Sequence, residues 1–183
     1  MGWLILCLLL ALVLFWAVGA HNRLTRLRSE VLRQWSTVDT IWLKWLMRLQ
    51  GSLSARQMLA WPSEADDLQA LQEACESVVE ALADARQQAL DTPSLHKLLE
   101  RHEVLMQCID AVAQSMPDKL RPHLLSAQSR ILQNLPPALI PFHVAVDRYN
   151  TALAQAPARW LARRLRLRPA LALRLPPRGG ASS

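Results

Sequence analysis

Glycine and the residues that favour β-strands are scarce in this chain. Its 183 residues include five glycines, two phenylalanines and one tyrosine, whereas 51 % of the residues are hydrophobic. Leu, Ala, Gln, Glu and Arg are common, and these residues favour a helix over a strand. The composition therefore predicts an all-α protein.

The motifs of common enzymes and metal sites are also missing. The three cysteines, Cys7, Cys75 and Cys108, are odd in number and form no Cys-x-x-Cys pair, so neither a disulfide framework nor a zinc site is predicted. The chain has no His-Glu-x-x-His, no Gly-x-Ser-x-Gly and no glycine-rich phosphate loop. We therefore predict no catalytic residues, no metal site and no cofactor.

One helical face could still hold a metal ion. His96, Glu100 and Glu103 fall at i, i+4 and i+7, which places them on one side of a helix. A di-metal bundle also needs Glu-x-x-His pairs on other helices, and the chain contains none. We favour a solvated charged face here and keep a metal-dependent enzyme as an alternative function.

Positive charge is concentrated at the two ends of the chain, which has a net charge of +6. Residues 1–60 contain seven basic and two acidic residues, and residues 159–183 contain seven arginines and no acidic residue. Between them, residues 61–158 contain seven basic and thirteen acidic residues. A nucleic-acid-binding protein with one broad positive face would not have this layout. The positive ends suit an anionic membrane surface, so we predict lipid rather than nucleic acid as a partner.

Residues 2–20, GWLILCLLLALVLFWAVGA, contain no charged side chain. As a helix, this segment is about 28 Å long, close to the thickness of the hydrocarbon core of a bilayer. Trp3 and Trp16 lie toward its ends, where indole rings favour the boundary between membrane and water. We predict that residues 1–20 form an uncleaved transmembrane anchor.

Three arginines set the expected orientation. Arg23, Arg26 and Arg28 follow the apolar run, and no basic residue precedes it. A positive flank stays in the cytoplasm, so we predict a single-pass protein of a bacterial inner membrane, with a short external N-terminus and a cytoplasmic helical domain. The alternative is a signal peptide cut after Ala20, which would release an extracytoplasmic binding protein.

The apolar residues after the anchor follow a helical repeat. Two series recur every seven residues and form one stripe: Leu24, Val31, Val38 and Trp45, and Trp35, Trp42 and Leu49. This spacing predicts a core-facing helix that continues from the anchor to about residue 60. Further helices are expected between Pro62, Pro93 and Pro117, and a kink or short break at residues 135–142, LPPALIPF.

Residues 158–183 are predicted to be a flexible tail rich in arginine and proline. A solvated tail and contact with the membrane surface both stay open, and RNA binding is a third interpretation, for which only Trp160 offers a stacking aromatic ring. The candidate membrane-surface contacts come from the start of the predicted bundle and from the tail that follows it: Arg23, Arg26, Arg28, Trp160, Arg163, Arg164, Arg166 and Arg168.

Two segments, HNRLTRLRSEVLRQWSTVD near the start of the chain and FHVAVDRYNTALAQAP near its end, together resemble the LemA family. That family opens with an apolar anchor, then Tyr-Asn-x-Leu-x-x-Leu-Arg-x-x-Val and Ala-Trp-Ser-x-Ile-Asp, and residues 21–39 read HNRLTRLRSEVLRQWSTVD. It closes with Tyr-Asn-x-Ala-Val-x-x-Tyr-Asn-Thr and a Phe-Pro, and residues 142–157 read FHVAVDRYNTALAQAP. The matching positions are Asn22, Leu24, Leu27, Arg28, Val31, Trp35, Ser36, Asp39, Ala145, Val146, Tyr149, Asn150, Thr151 and Pro157.

The resemblance implies an N-terminal transmembrane helix that continues into an antiparallel bundle of about four helices over residues 21–157. It also implies a small external N-terminus and no established catalytic activity. The chain departs from the family at residues 49–53, LQGSL, where the family has Leu-Ile-Pro-Asn-Leu. It departs again at residues 139–143, LIPFH, where the family has Arg-Arg-Phe-Tyr-Asn.

Four polar residues of the matched segments are candidate site residues: Asn22, Asp39, Tyr149 and Asn150. If the first and last helices are antiparallel neighbours, Asn22 and Asn150 could act as polar clips that fix their register, since buried polar groups need partners. The alternative is a polar patch for a partner at the membrane surface. The expected function is that of a non-catalytic interaction or scaffold module, which binds an unidentified membrane or cytoplasmic protein or assembles into a homo-oligomer.

Overall fold

Four helices make up the regular structure that the computed structural model of this chain describes. It describes residues 2–57, 65–87, 91–115, 121–155, 159, 164 and 167–173. The helices are α1 (Gly2–Gln57), α2 (Ala65–Gln87), α3 (Thr92–Ser115) and α4 (Arg121–Ala154). Within those residues there is no strand. The prediction of an all-α fold with about four helices is confirmed.

The helices pack in two pairs, α1 with α4 and α2 with α3. The rings of Trp35 and Phe142 lie 5.8 Å apart, and Trp45 Nε1 donates a 2.9 Å hydrogen bond to Ala127 O. Residue numbers therefore fall along α4 as they rise along α1, and the two helices are antiparallel. An ion pair between Asp84 of α2 and Lys97 of α3, at 2.8 Å, joins the second pair near its connection.

The first helix has two parts with opposite exposure. The side chains of residues 3–16 are exposed, as in Leu4 with 71 % and Phe15 with 81 % of its surface accessible. α1 is the helix, among those described, that is long and apolar enough to cross a membrane. From Leu24 onward the same helix has a buried stripe, without a break between the two parts.

The predicted heptad stripe forms the centre of the core. All seven of its members are buried: Leu24, Val31, Trp35, Val38, Trp42, Trp45 and Leu49. Each such side chain contributes about 1.5–3 kcal/mol by leaving water. This burial orients α1 toward the other three helices and fixes which of its faces stays in solvent.

A buried histidine holds two of these tryptophans. Trp42 Nε1 donates a 3.2 Å hydrogen bond to His102 Nδ1, and the His102 ring packs edge-on against both Trp42 and Trp45. Because Nδ1 accepts, this geometry assigns the proton of a neutral His102 to Nε2. The contact ties α3 to the α1–α4 pair.

An ion pair joins α1 to α2. Asp39 is buried, and both of its oxygens accept hydrogen bonds from the Arg86 guanidinium, at 2.9–3.2 Å. The Arg86 side chain is about half exposed. A bidentate pair of this kind fixes both distance and orientation, so it sets the register between α1 and α2.

The sequence predicts a kink or a short break at residues 135–142. α4 has no break there, because it runs through Pro136, Pro137 and Pro141, and the kink stays a prediction. All three prolines are exposed. Between and beside them, Leu135, Leu139 and Phe142 are buried at i, i+4 and i+7. Their burial against α1 offsets the cost of about 3 kcal/mol that a proline adds in a helix interior.

Two tryptophans of α1 allow a matched test of the polar contacts in the core. Trp42→Phe leaves His102 Nδ1 without its donor, whereas the buried Trp35 Nε1 has no partner among the described atoms. We expect Trp42→Phe to lower the free energy of unfolding by about 1–2 kcal/mol more than Trp35→Phe does. Chemical denaturation of the full chain in detergent measures both, and equal losses would contradict the assignment.

The buried thiol of Cys75 provides a second test. Burial, and then the nearby Cys108 and Glu76, raises the pKa of Cys75 to about 12 from an ordinary 9.0. The folded state therefore holds this proton more tightly, and the resulting stabilisation is lost as pH rises from about 9 toward 12.

Because the thiolate is the reactive form, iodoacetamide near pH 8 should modify the half-buried Cys108 well before Cys75. Mass spectrometry of the labelled chain measures the two rates. Equal rates in the folded protein would contradict this packing, and both thiols should react freely once the chain is unfolded.

Candidate interaction surface at the anchor-proximal end of the bundle

The residues just after the anchor form an exposed basic collar. Arg23, Arg26 and Arg28 are exposed on the first two turns that follow residue 20. Arg23 and Arg26 line a shallow recess of about 340 Å³ between α1 and α4, together with Leu27, Asp147, Arg148 and Thr151. Three of the six lining residues are arginines, so this end of the α1–α4 pair attracts anions.

The C-terminal segment, residues 167–173, lies against α4 at the same end. Asn150 holds the backbone of this segment with two hydrogen bonds, both 2.9 Å long. Asn150 Nδ2 donates to Ala170 O, and Ala170 N donates to Asn150 Oδ1. The Tyr149 hydroxyl donates to Arg168 O at 3.3 Å, and His143 Nε2 bonds to Leu173 O. Residue numbers in the segment rise as those on α4 fall, so the segment runs antiparallel to α4.

The segment covers part of the core. Ala170 and Leu173 are buried, and Leu167, Leu171 and Ala172 pack partly buried against the same cluster. Beneath them Tyr149 is almost fully buried, and burial raises the pKa of its hydroxyl, against a smaller opposite effect of Arg28. The hydroxyl is therefore protonated at neutral pH and able to donate to Arg168 O.

The segment also reaches the connection between α2 and α3. Arg168 lies 3.9 Å from Asp91, the residue that precedes α3. Asp91 O accepts from Leu95 N at 3.3 Å, and its carboxylate accepts from the Ser94 hydroxyl at 3.5 Å. Arg168 is 83 % exposed, so its ion pair adds little stability.

The four polar candidates are not brought together. Asn22 is exposed, Asn150 binds the C-terminal segment, and Asp39 pairs with Arg86 about 25 Å farther along α1 than Asn22. The polar clip therefore exists at Asn150, but it holds residues 167–173 rather than Asn22. Tyr149 takes part in the same clip.

The candidate membrane-surface contacts are only partly described. Trp160, Arg163 and Arg166 lie outside the described residues, whereas Arg164 and Arg168 are exposed. The boundary predicted at residue 157 stays a prediction. The described piece of the predicted tail, residues 167–173, packs on the bundle instead of extending into solvent.

The alternative metal site gains no support from the described residues. His96, Glu100 and Glu103 are exposed, and His96 Nδ1 lies 3.1 Å from Thr92 O. Among the residues described, no group of three or more His, Cys, Asp or Glu side chains converges on a point where a metal could bind.

Two polar contacts that organise this structure were not predicted from the sequence. His102 was not distinguished from the other histidines, although its spacing of i+4 and i+7 from Leu98 and Leu95 places it on the buried face of α3. The partner of Asn150 was missed because a segment rich in arginine and proline gives no periodic signal of packing.

Comparison with protein-family models, curated proteins and solved structures gives no match. Membership of the LemA family therefore stays a prediction that depends on the matched segments alone.

Replacing Asn150 tests whether it holds the C-terminal segment. Asn150→Ala removes both bonds to Ala170, and hydrogen exchange at the Ala170 amide should become at least about tenfold faster, because about 1.4 kcal/mol or more of local protection is lost. Asn134→Ala, the same change at an exposed site on α4, is the matched control. Unchanged exchange at Ala170 would show that Asn150 does not hold the segment.

Proposed function

We propose that this chain is a single-pass, membrane-anchored interaction module without catalytic activity, whose bundle lies on the cytoplasmic side of a bacterial inner membrane. The observation that supports this most is the unbroken helix α1. Its first part exposes apolar side chains on all sides, and its second part is built into the core of the bundle. Such a helix ties the position of the bundle directly to the bilayer.

The basic collar supports the orientation. Arg23, Arg26 and Arg28 are exposed and lie within about 12 Å of the end of the anchor. Positive residues this close to an apolar span favour the cytoplasmic side, and each can contribute about 1 kcal/mol of attraction to anionic headgroups. The proposed partners are therefore the bilayer itself and a membrane or cytoplasmic protein that the bundle contacts.

A topology reporter at the C-terminus tests this function first. We expect a fused fluorescent protein to be bright and a fused alkaline phosphatase to be inactive, because the latter folds only outside the cytoplasm. Arg23→Glu, Arg26→Glu and Arg28→Glu together should weaken this preference, whereas the same change at the exposed Arg48, Arg101 and Arg130, which are far from the apolar segment in sequence, should not. An active phosphatase fusion of the unaltered chain would contradict the proposal.

The N-terminal residue of the mature protein separates the anchor from a cleaved signal peptide. The proposal expects a chain that keeps residues 2–20 and resists extraction from membranes by carbonate. A mature chain that begins at His21 would instead support an extracytoplasmic binding protein.

A further inference from the structure

A groove on the outer side of the α1–α4 pair combines an apolar floor with a basic rim. It has a volume of about 360 Å³. Ile41, Trp45, Ala127 and Ile131 line the floor, and Lys44, Arg48 and Arg130 contribute the charges. Trp45 and Ile131 are buried core residues, whereas the three basic side chains are exposed.

The basic side chains of this groove have no acidic partner within the described part of the chain. The ion pairs found there involve Arg33, Arg86, Lys97 and Arg168 instead. Lys44, Arg48 and Arg130 therefore present uncompensated positive charge on helix surfaces that are otherwise held firmly by the core. A rigid basic groove of this kind suits a rigid acidic surface.

The acidic surface that matches it is on α2 of the same chain. Glu73, Glu76 and Glu80 are exposed at i, i+3 and i+7, on the face of α2 turned away from its buried residues Leu71, Cys75, Val78 and Leu82. We call these three residues the acidic strip. Glu73 and Glu76 accept hydrogen bonds from glutamines one turn earlier. None of the ion pairs found among the described residues includes the strip, although Lys97, which pairs with Asp84, lies close enough to attract Glu80.

The groove and the acidic strip lie at the same distance from the anchor. Asp39 and Arg86 are in contact, and α1 and α2 run in opposite directions from that point. Lys44 lies five residues, or about 7.5 Å, beyond Asp39 along α1. Glu80 lies six residues, or about 9 Å, before Arg86 along α2. Arg48 lies nine residues, or about 13.5 Å, beyond Asp39, and Glu76 lies ten residues, or about 15 Å, before Arg86. Lys44 and Arg48 thus each have a glutamate of the acidic strip at about the same height.

We propose that the acidic strip of one copy docks against the basic groove of a neighbouring copy in the same membrane. This inference rests on the membrane anchoring proposed above, because anchored copies share one orientation and keep the two surfaces at matching heights. The groove and the strip belong to different helix pairs, so the contact is head-to-tail and leaves one free surface at each end. It can therefore repeat into rows or rings in the plane of the membrane.

A second copy fits the groove better than an unrelated acidic protein, because the register of α1 and α2 explains the match of heights. Confinement to a membrane also raises the local concentration of copies. A contact made mainly of exposed charges, which is weak in solution, can then be populated. It should weaken in high salt, since screening shortens the reach of charges to about 3 Å at 1 M.

A charge exchange between the two surfaces tests this contact. Full-length copies labelled at the C-terminus with donor or acceptor dyes are reconstituted at low density in lipid vesicles, and energy transfer between copies is measured. The groove variant carries Lys44→Glu, Arg48→Glu and Arg130→Glu, and the strip variant carries Glu73→Lys, Glu76→Lys and Glu80→Lys. All six positions are exposed, and circular dichroism confirms that each variant folds.

Each variant alone should lose energy transfer down to the level of unassociated copies. Mixing the two variants should restore energy transfer, because the positive strip of one variant then meets the negative groove of the other. The control Glu100→Lys with Glu103→Lys, which places similar charge on exposed positions of α3, should keep transfer near that of the unaltered chain.

Failure of the mixture to restore transfer would overturn the contact, and so would an equal loss in the α3 control. An unaltered chain that shows no transfer above random encounter would also overturn it and point to a different acidic partner in the groove. These outcomes do not depend on the topology reporter, so self-association can fail while the membrane-anchored function stands.

Discussion

The backbone hydrogen bonds of α1 connect the apolar anchor to the core of the bundle without a linker. An ordinary tether would let a domain tilt and rotate above the membrane, and its surfaces would have no fixed height. Here Leu24, four residues after the apolar segment, is already buried in the core. The direction of the apolar segment relative to the bundle depends on this continuity. The proposed height of each surface above the membrane and the proposed orientation of neighbouring copies depend on it as well.

The C-terminal segment covers the part of the α1–α4 pair that extends beyond the α2–α3 pair. The contact between Asp39 and Arg86 places the connection of α2 and α3 near the middle of α1, so the part of the α1–α4 pair nearest the anchor extends beyond α2 and α3. Residues 167–173 pack there, held through Asn150 and Tyr149. The backbone of the segment supplies the polar partners, while Ala170 and Leu173 supply apolar cover. The exposed side chain of Arg168 is thereby held beside Asp91.

Much of the fold could be predicted because helical periodicity is a direct consequence of burial. The stripe from Leu24 to Leu49 was predicted in full, since only core-facing positions recur every three to four residues. A short break was one of the two outcomes predicted for residues 135–142, and α4 has none there, because the penalty of proline is local whereas the burial of Leu135, Leu139 and Phe142 depends on α1. The roles of His102 and Asn150 depend on residues 60 and 20 positions away, and such pairings leave no local pattern.

Backbone hydrogen exchange across the junction of anchor and bundle, in lipid nanodiscs, tests the continuity of α1 most directly. The account predicts that the amides of residues 17–28 exchange as slowly as those of residues 31–38 in the bundle, because each is hydrogen-bonded within one helix. Rapid exchange confined to residues 19–23, with slow exchange on both sides, would show a flexible joint there and would contradict the fixed placement of the bundle.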